Sequence, residues 1–410
     1  MTPSAAVGPT GPAVSVVVVS RYRPAALARC VHALTLQDHP CFELVVVADP
    51  AAARPRPDLP IRRVVFDRAN ISAARNAGIR AAAGEIIAFL DDDAVAEPTW
   101  LSRLAAPFSN QAVLAATGVT RGRDGVRWQV RAERIGPDSL ARSIPVQGGA
   151  VRLLCPQDGQ PVSTLGTNCA FRRAALVEIG GFDPAFAYHL DESDLNMRMA
   201  SRWPDAPTAI VPGAEVAHGW AGSEHRSAAG VPRDLTVIGR STGIFCTRHG
   251  GDPAFATGHQ RRRLLRLMLA GRLDPGQVRP LMQGFRTGLQ HAPAAPAPVW
   301  AAGDAAPAFA PLPGTGPRPA RFIAGWHWQA ARLRADAARA AAAGQIVTLL
   351  LLTPTLLPHR VRFAPEGFWE QRGGLWGPSD PGDSPFTPWR LQDRISHEAK
   401  RVMQTRLTGP

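Results

Sequence analysis

Lysine is almost missing from this chain of 410 residues: Lys400 is the only one, and every other strongly basic residue is arginine. The formal charge of +13 therefore does not read as a nucleic-acid footprint, because Ala, Arg, Pro and Gly abound throughout and the surplus follows that bias. No nucleic-acid partner is expected. The surplus is uneven, with 20 basic against 10 acidic residues between 250 and 410, so the C-terminal region suits peripheral contact with acidic lipid. The five cysteines are odd in number and show no CxxC spacing, which excludes a disulfide framework and a zinc site and points to a reducing compartment. Residues 1–13 lack the basic start of a signal peptide. The longest apolar run, Ile346 to Leu357, is broken by Pro354 and is too short to span a bilayer. The expected protein is soluble and cytoplasmic, touching at most the inner face of the membrane.

What is present is an alternation of strand-like and helix-like segments. Val14–Val19 is a β-branched run suited to a buried strand, and Pro24 opens a helix through about Leu36. Leu44–Val47 and Ile61–Phe66 read as further strands, Asn70–Ala82 as an alanine-rich helix, and the run from Glu85 to Leu90 as a strand. Such alternation implies α/β architecture: a mostly parallel, Rossmann-like sheet with helices on both faces. Pro98–Phe108 suits a helix and Val113–Val119 a strand; Thr164–Phe171 leads into a helix over Arg172–Ile179 that Gly180-Gly181 stops. Leu195–Arg202 and residues 232–249 suit two more helices. The expected layout is a disordered tail at 1–13, the α/β domain at 14–250 and a basic helical segment at 251–290. A Pro/Ala-rich linker at 291–319 and an accessory region at 320–410 follow. Together 251–410 make a helical and irregular extension, in which Trp369, Trp376 and Trp389 read as the core of a small appended domain.

Three carboxylates, Asp91-Asp92-Asp93, stand at the end of one buried strand. Like charges so placed need a cation, a basic partner or solvent, and hard divalent cations commonly join carboxylates to substrate phosphates. Ser20, Asp49 and these acids all fall at carboxyl ends of strands, where open α/β sheets bind ligands. A second acidic group, Asp191-Glu192-Ser193-Asp194, opens a helix, where acids are also favoured by the dipole.

The order of these pieces resembles the family-2 glycosyltransferases with a GT-A fold. The matching residues run from Val16 to Pro24, from Leu44 to Asp49 and from Asn70 to Gly78, then through Asp91-Asp92-Asp93, Gly180-Gly181-Phe182-Asp183, Asp191 to Leu195 with Arg198, and His218. The resemblance covers roughly residues 13–225. It implies an inverting, hexosyltransferase-like enzyme of polysaccharide biosynthesis that uses a divalent metal, Mn²⁺ or Mg²⁺. The implied donor is a nucleotide-diphosphate sugar, a UDP-sugar first, and the acceptor a hydroxyl on a glycan or lipid-linked sugar.

Residue by residue, the resemblance implies Asp93, Asp91 and His218 as metal ligands, the mixed donor set favouring manganese. Glu192 is implied as the base, with Asp191 second; the family more often has Asp at the Glu192 position. Ser20, Tyr22, Asp49, Arg75, Asp91 and Asp92 are expected around the nucleotide, and Asn168 and Asp194 near sugar and acceptor. Ala48 replaces the family's second acid beside Asp49. A nucleotide-sugar pyrophosphorylase would bring a Gly-rich loop after the first strand, and Ser20-Arg21-Tyr22-Arg23-Pro24 has no glycine. A non-catalytic nucleotide-sugar or glycan-binding scaffold keeping the GT-A fold is the second reading.

Overall fold

Strand β1, Val14–Ser20, sits in the middle of the main sheet because both of its faces are apolar. It pairs in parallel with β2 (Phe42–Ala48) on one side and β4 (Ile86–Asp91) on the other; β3 (Arg62–Val65) extends the β2 edge, also in parallel. Helix α1 (Pro24–Leu34) covers one face and α2 (Ile71–Ala81) the other. Val14, Val16 and Val18 join Leu27, Cys30 and Leu34 in one core, while Val17 joins Ala74 and Ile79 in the second. Beyond β4 the sheet continues with Cys169–Arg172, antiparallel, then Ala115–Arg121, then the long strand Thr208–His218. This is the expected α/β sheet with helices on both faces. The computed structural model describes residues 12–53, 59–146, 148–219, 225, 227, 230–293, 298 and 306–407. The tail expected at 1–13 thus lies almost wholly outside the described residues.

Several boundaries differ from the sequence reading. The helix expected from Pro98 is Trp100–Ala105 and then tightens into a 3₁₀ turn at Ala106–Ser109, where Pro107 withdraws a donor. Within the basic segment at 251–290 one helix runs over Pro253–Leu269, where Asp252 caps it and Pro253 occupies its first turn. The described part of the supposed linker packs: Leu312 is buried in the main core and its N–H donates to Phe42 O, while Gly316 N donates to Gln37 O.

The C-terminal region carries its own sheet, ordered Ala320–Trp326, Ile346–Thr353, Trp369–Gly374 and Arg360–Phe363; the first three strands are parallel. Helix Ala330–Ala342 covers one face, and helix Leu391–Arg406 lies near the other with Trp376 and Trp389. Phe363 and Trp369 pack with Ala33 and Leu36 of the main domain. Arg406 grips Glu97 at 2.6 and 3.0 Å, tying the last helix to the strand-end region of the first sheet. Among the described residues no helix is long and apolar enough to cross a membrane.

Candidate active site

The parallel strands deliver Ser20, Asp49 and Asp91 to one edge of the sheet, as their ends are in register. Asp93 follows β4 in a tight connection to a short strand, Ala94–Ala96, which pairs antiparallel with the end of Thr208–His218. That pairing sets His218 opposite Ala94 and brings its Nε2 to 3.1 Å from Asp93 Oδ1 and 4.0 Å from Asp91 Oδ2. One potential ligand atom each from Asp91, Asp93 and His218 lies within 4.8 Å of the others. Thr167 Oγ donates to Asp91 Oδ2 at 2.7 Å, a contact that the sequence did not suggest. Two carboxylates converging on an imidazole form an oxygen- and nitrogen-donor set that suits Mn²⁺ or Mg²⁺.

Asp92 turns the other way. Ser20 Oγ donates to its Oδ2 at 2.7 Å and Arg23 to its Oδ1 at 3.0 Å, so it anchors the loop after β1. Burial pushes its carboxyl up to about 6, against the opposing pull of Arg23. Asp49 is likewise committed: it accepts from the backbone of Tyr22, Ala51 and Ala52. Both acids shape the loops at this sheet edge rather than offer a free carboxylate. Tyr22 has a positive φ of 57° and stands exposed, its hydroxyl donating to Asp67. It borders a cleft of about 360 Å³ whose wall also includes Ser20, Phe66, Arg68, Tyr188 and His225. Asp91 and Asp93 are not part of that wall; Ser20, which is, bonds Asp92 between them.

Across the edge, Leu190 takes a left-handed conformation at φ 63°, rare for a residue with a Cβ, and so starts the helix Asp191–Arg202 with its acids in the first turn. Arg75, buried, ties the two acidic groups together: it pairs with Asp191, lies 3.6 Å from Glu192 and 3.5 Å from Asp91. The sequence reading put Arg75 on the nucleotide; its position among three carboxylates makes it their counter-ion instead. Burial and the charge of Glu192 push Asp191 well above the usual carboxylate range. For Glu192 burial works in the same direction but is outweighed by a hydrogen bond from Asp191 and by Arg75, holding it down to about 2. Glu192 Oε1 accepts from Gly166 N at 3.0 Å, and 21% of its side chain is exposed against 4% for Asp191. Gly166 is needed there because a Cβ would fall 1.8 Å from Arg75 Nη2.

Two expected ligand contacts are sealed away. Asn168 is fully buried; it accepts from Trp100 Nε1 and donates to Val119 O and Ala214 O, holding three elements together. Asp194 is also fully buried, gripped by Arg198, Arg248 and His249, so it braces the acidic helix against Thr236–His249. The expectation that Asp194 and Asn168 touch sugar or acceptor is corrected by that burial. Arg248 and His249 gave no sequence signal, since their partner is far away in the chain.

Residues 15–180 match the model described as "Glycosyl transferase family 2". A similar protein is the glucosyl-dolichyl phosphate glucuronosyltransferase of Haloferax volcanii, 29% identical over 180 residues. The match covers 42% of this chain and 56% of that relative, so the chain spans about half of the relative's length. Similar solved structures include GalNAc-T7 with UDP, GalNAc and Mn²⁺, at 17% identity, 57% of this chain, 48% of that one and a TM-score of 0.40. Another is the mannosyltransferase PcManGT from Pyrobaculum calidifontis with GDP-Man and Mn²⁺, at 19% identity, 70% and 73% coverage and a TM-score of 0.39. Residues 15–180 are thus similar to glycosyl transferase family 2, with the strand-end acids of β4 inside the matched segment and the α/β sheet around it.

Proposed function

We propose that the protein transfers a hexosyl group from a nucleotide-diphosphate sugar, a UDP-sugar first, to an acceptor hydroxyl with inversion. The observation that carries this reading is the meeting of Asp91, Asp93 and His218 at one sheet edge, with Glu192 and Asp191 joined to it through Arg75. Asp91, Asp93 and His218 would hold Mn²⁺ or Mg²⁺, which when bound offsets charge on the departing diphosphate. The cleft beside Tyr22 and Phe66 would take the nucleoside. Glu192, ionised at neutral pH, accepts the proton of the acceptor hydroxyl as its oxygen bonds to the anomeric carbon. The bond from that carbon to the diphosphate oxygen breaks and its electron pair leaves with the nucleoside diphosphate. Asp191 is the more basic carboxyl, but its burial and its pairing with Arg75 deny it to an incoming alcohol.

A lipid-linked acceptor on the cytoplasmic membrane face is part of this proposal. The Haloferax relative is named for a glucosyl-dolichyl phosphate, and Arg261, Arg262 and Arg266 stand exposed on helix Pro253–Leu269, suited to an anionic surface. The test is transfer from UDP-sugars with and without Mn²⁺. Asp93→Ala should lose metal-dependent donor binding. Glu192→Gln should keep donor binding and lose about 10²–10⁴-fold in transfer, the usual worth of a general base. Full transfer by Glu192→Gln would refute the base assignment.

A further inference from the structure

His218 presents two nitrogens to two different neighbours. Nε2 faces Asp93 at 3.1 Å, and Nδ1 lies 3.0 Å from Gln129 Oε1. A neutral imidazole offers a lone pair at one nitrogen only if the other carries the proton, and an amide oxygen can only accept. With a cation on Nε2, beside Asp91 and Asp93, the ring proton would have to sit on Nδ1, where Gln129 Oε1 stands as its acceptor. We propose that Gln129 is a positioning residue for the metal centre, aiming His218 by accepting from its Nδ1–H when Nε2 holds the cation, and that the C-terminal sheet holds Gln129 in place. This inference rests on the metal reading above and goes beyond it, giving the appended region a part in the site.

Gln129 lies on the short strand Trp128–Val130, an edge partner of Ala115–Arg121. Two sets of contacts fix that strand. Arg121 lays its guanidinium 3.9 Å over the Trp128 ring and bonds Glu215 at 2.7 Å, a residue on the same strand as His218. The same guanidinium lies 3.8 Å from Asp380 of the C-terminal region. The turn just before Trp128 rests on the C-terminal strand Arg360–Phe363: Val361 N donates to Asp124 O at 2.7 Å. Gly125 there has φ 68°, and a Cβ on it would fall 2.4 Å from Val361 O, so the two backbones are in close contact. Ligand-orienting partners of this kind typically contribute about 10–100-fold to metal affinity.

The test measures Mn²⁺ binding to the full chain without substrate, by the electron paramagnetic resonance signal of free Mn²⁺. Gln129→Ala should weaken Mn²⁺ binding by about 10-fold or more. Gln129→Glu, which still accepts from Nδ1–H, should stay within about threefold of wild type. Gly125→Ala, which pushes the turn off the C-terminal sheet, should weaken binding in the same direction while Trp369 stays buried by fluorescence. Wild-type affinity in Gln129→Ala would overturn the role of Gln129. Wild-type affinity in Gly125→Ala would overturn the part given to the C-terminal sheet. Asp93→Ala separates the two levels: if it loses Mn²⁺ while Gln129→Ala keeps it, only this inference fails. If Asp93→Ala binds Mn²⁺ like wild type, the metal reading itself falls and takes the inference with it.

Discussion

Replacing Arg75 by methionine isolates the electrostatics of the site from its chemistry. Methionine roughly matches the length of the arginine stem and removes the charge, leaving Asp191, Glu192 and Asp91 facing one another around the vacated guanidinium position. Only 6% of the Arg75 side chain is exposed, so water cannot readily take its place. Breaking a buried pair by removing one partner costs about 3–5 kcal/mol, since the other charge remains. For a unit of this size each kcal/mol moves the melting temperature by about 2–4 °C, so a fall of roughly 10 °C is expected near pH 8. The direction with pH follows from Asp191, already pushed upward by burial and by Glu192, and pushed further once Arg75 is gone. A carboxyl whose folded pKa exceeds its unfolded one binds its proton more tightly in the folded state, so stability falls as pH rises through that interval. The melting deficit of Arg75→Met should therefore be smaller at pH 5 than at pH 8, measured by thermal unfolding of both proteins at both pH values. An equal deficit at the two pH values, or none at pH 8, would refute the counter-ion account.

Asn168→Ala should destabilise by about 3 kcal/mol, because Val119 O, Ala214 O and Trp100 Nε1 each lose a buried partner, and it should leave donor affinity unchanged; a weakened donor KM with normal melting would reverse that assignment. The C-terminal sheet should be acid-sensitive through His359, which burial holds at about 4. Its unfolded value is near 6.5, so the stability that it contributes is complete above about pH 6.5 and is lost as pH falls toward 4, about 3 kcal/mol in all. Tryptophan fluorescence across a denaturant series at several pH values would measure this, and His359→Gln should flatten the slope; an unchanged slope in that variant would exclude His359 as its source.

The first half of the chain was legible because its signals are local. β-Branched runs bury on both faces, Pro24 and Asn70 mark helix starts, and the strand-end acids have no apolar excuse for their position. The last helix was not legible, for a physical reason. Its buried positions include Arg394, Glu398 and Arg406, so the apolar periodicity that announces a packed helix is missing. Glu398 accepts from Ser379, Gln371 and Arg401. Partners 19–27 residues away in sequence, or 3 on the same helix, supply what an apolar face would otherwise do. The same limit explains the site. Asp91 and Asp93 stand out by residue type and position, and His218 through the family resemblance, whereas Arg75 and Asn168 are told apart as ligand contacts or supports only by their partners. Arg75 is matched by acids 16, 116 and 117 positions on, and Asn168 holds the ring of a tryptophan 68 positions back. A sequence motif fixes which groups stand at a strand end; only the long-range pairing decides whether a given polar side chain is spent inside the protein or left to meet a ligand.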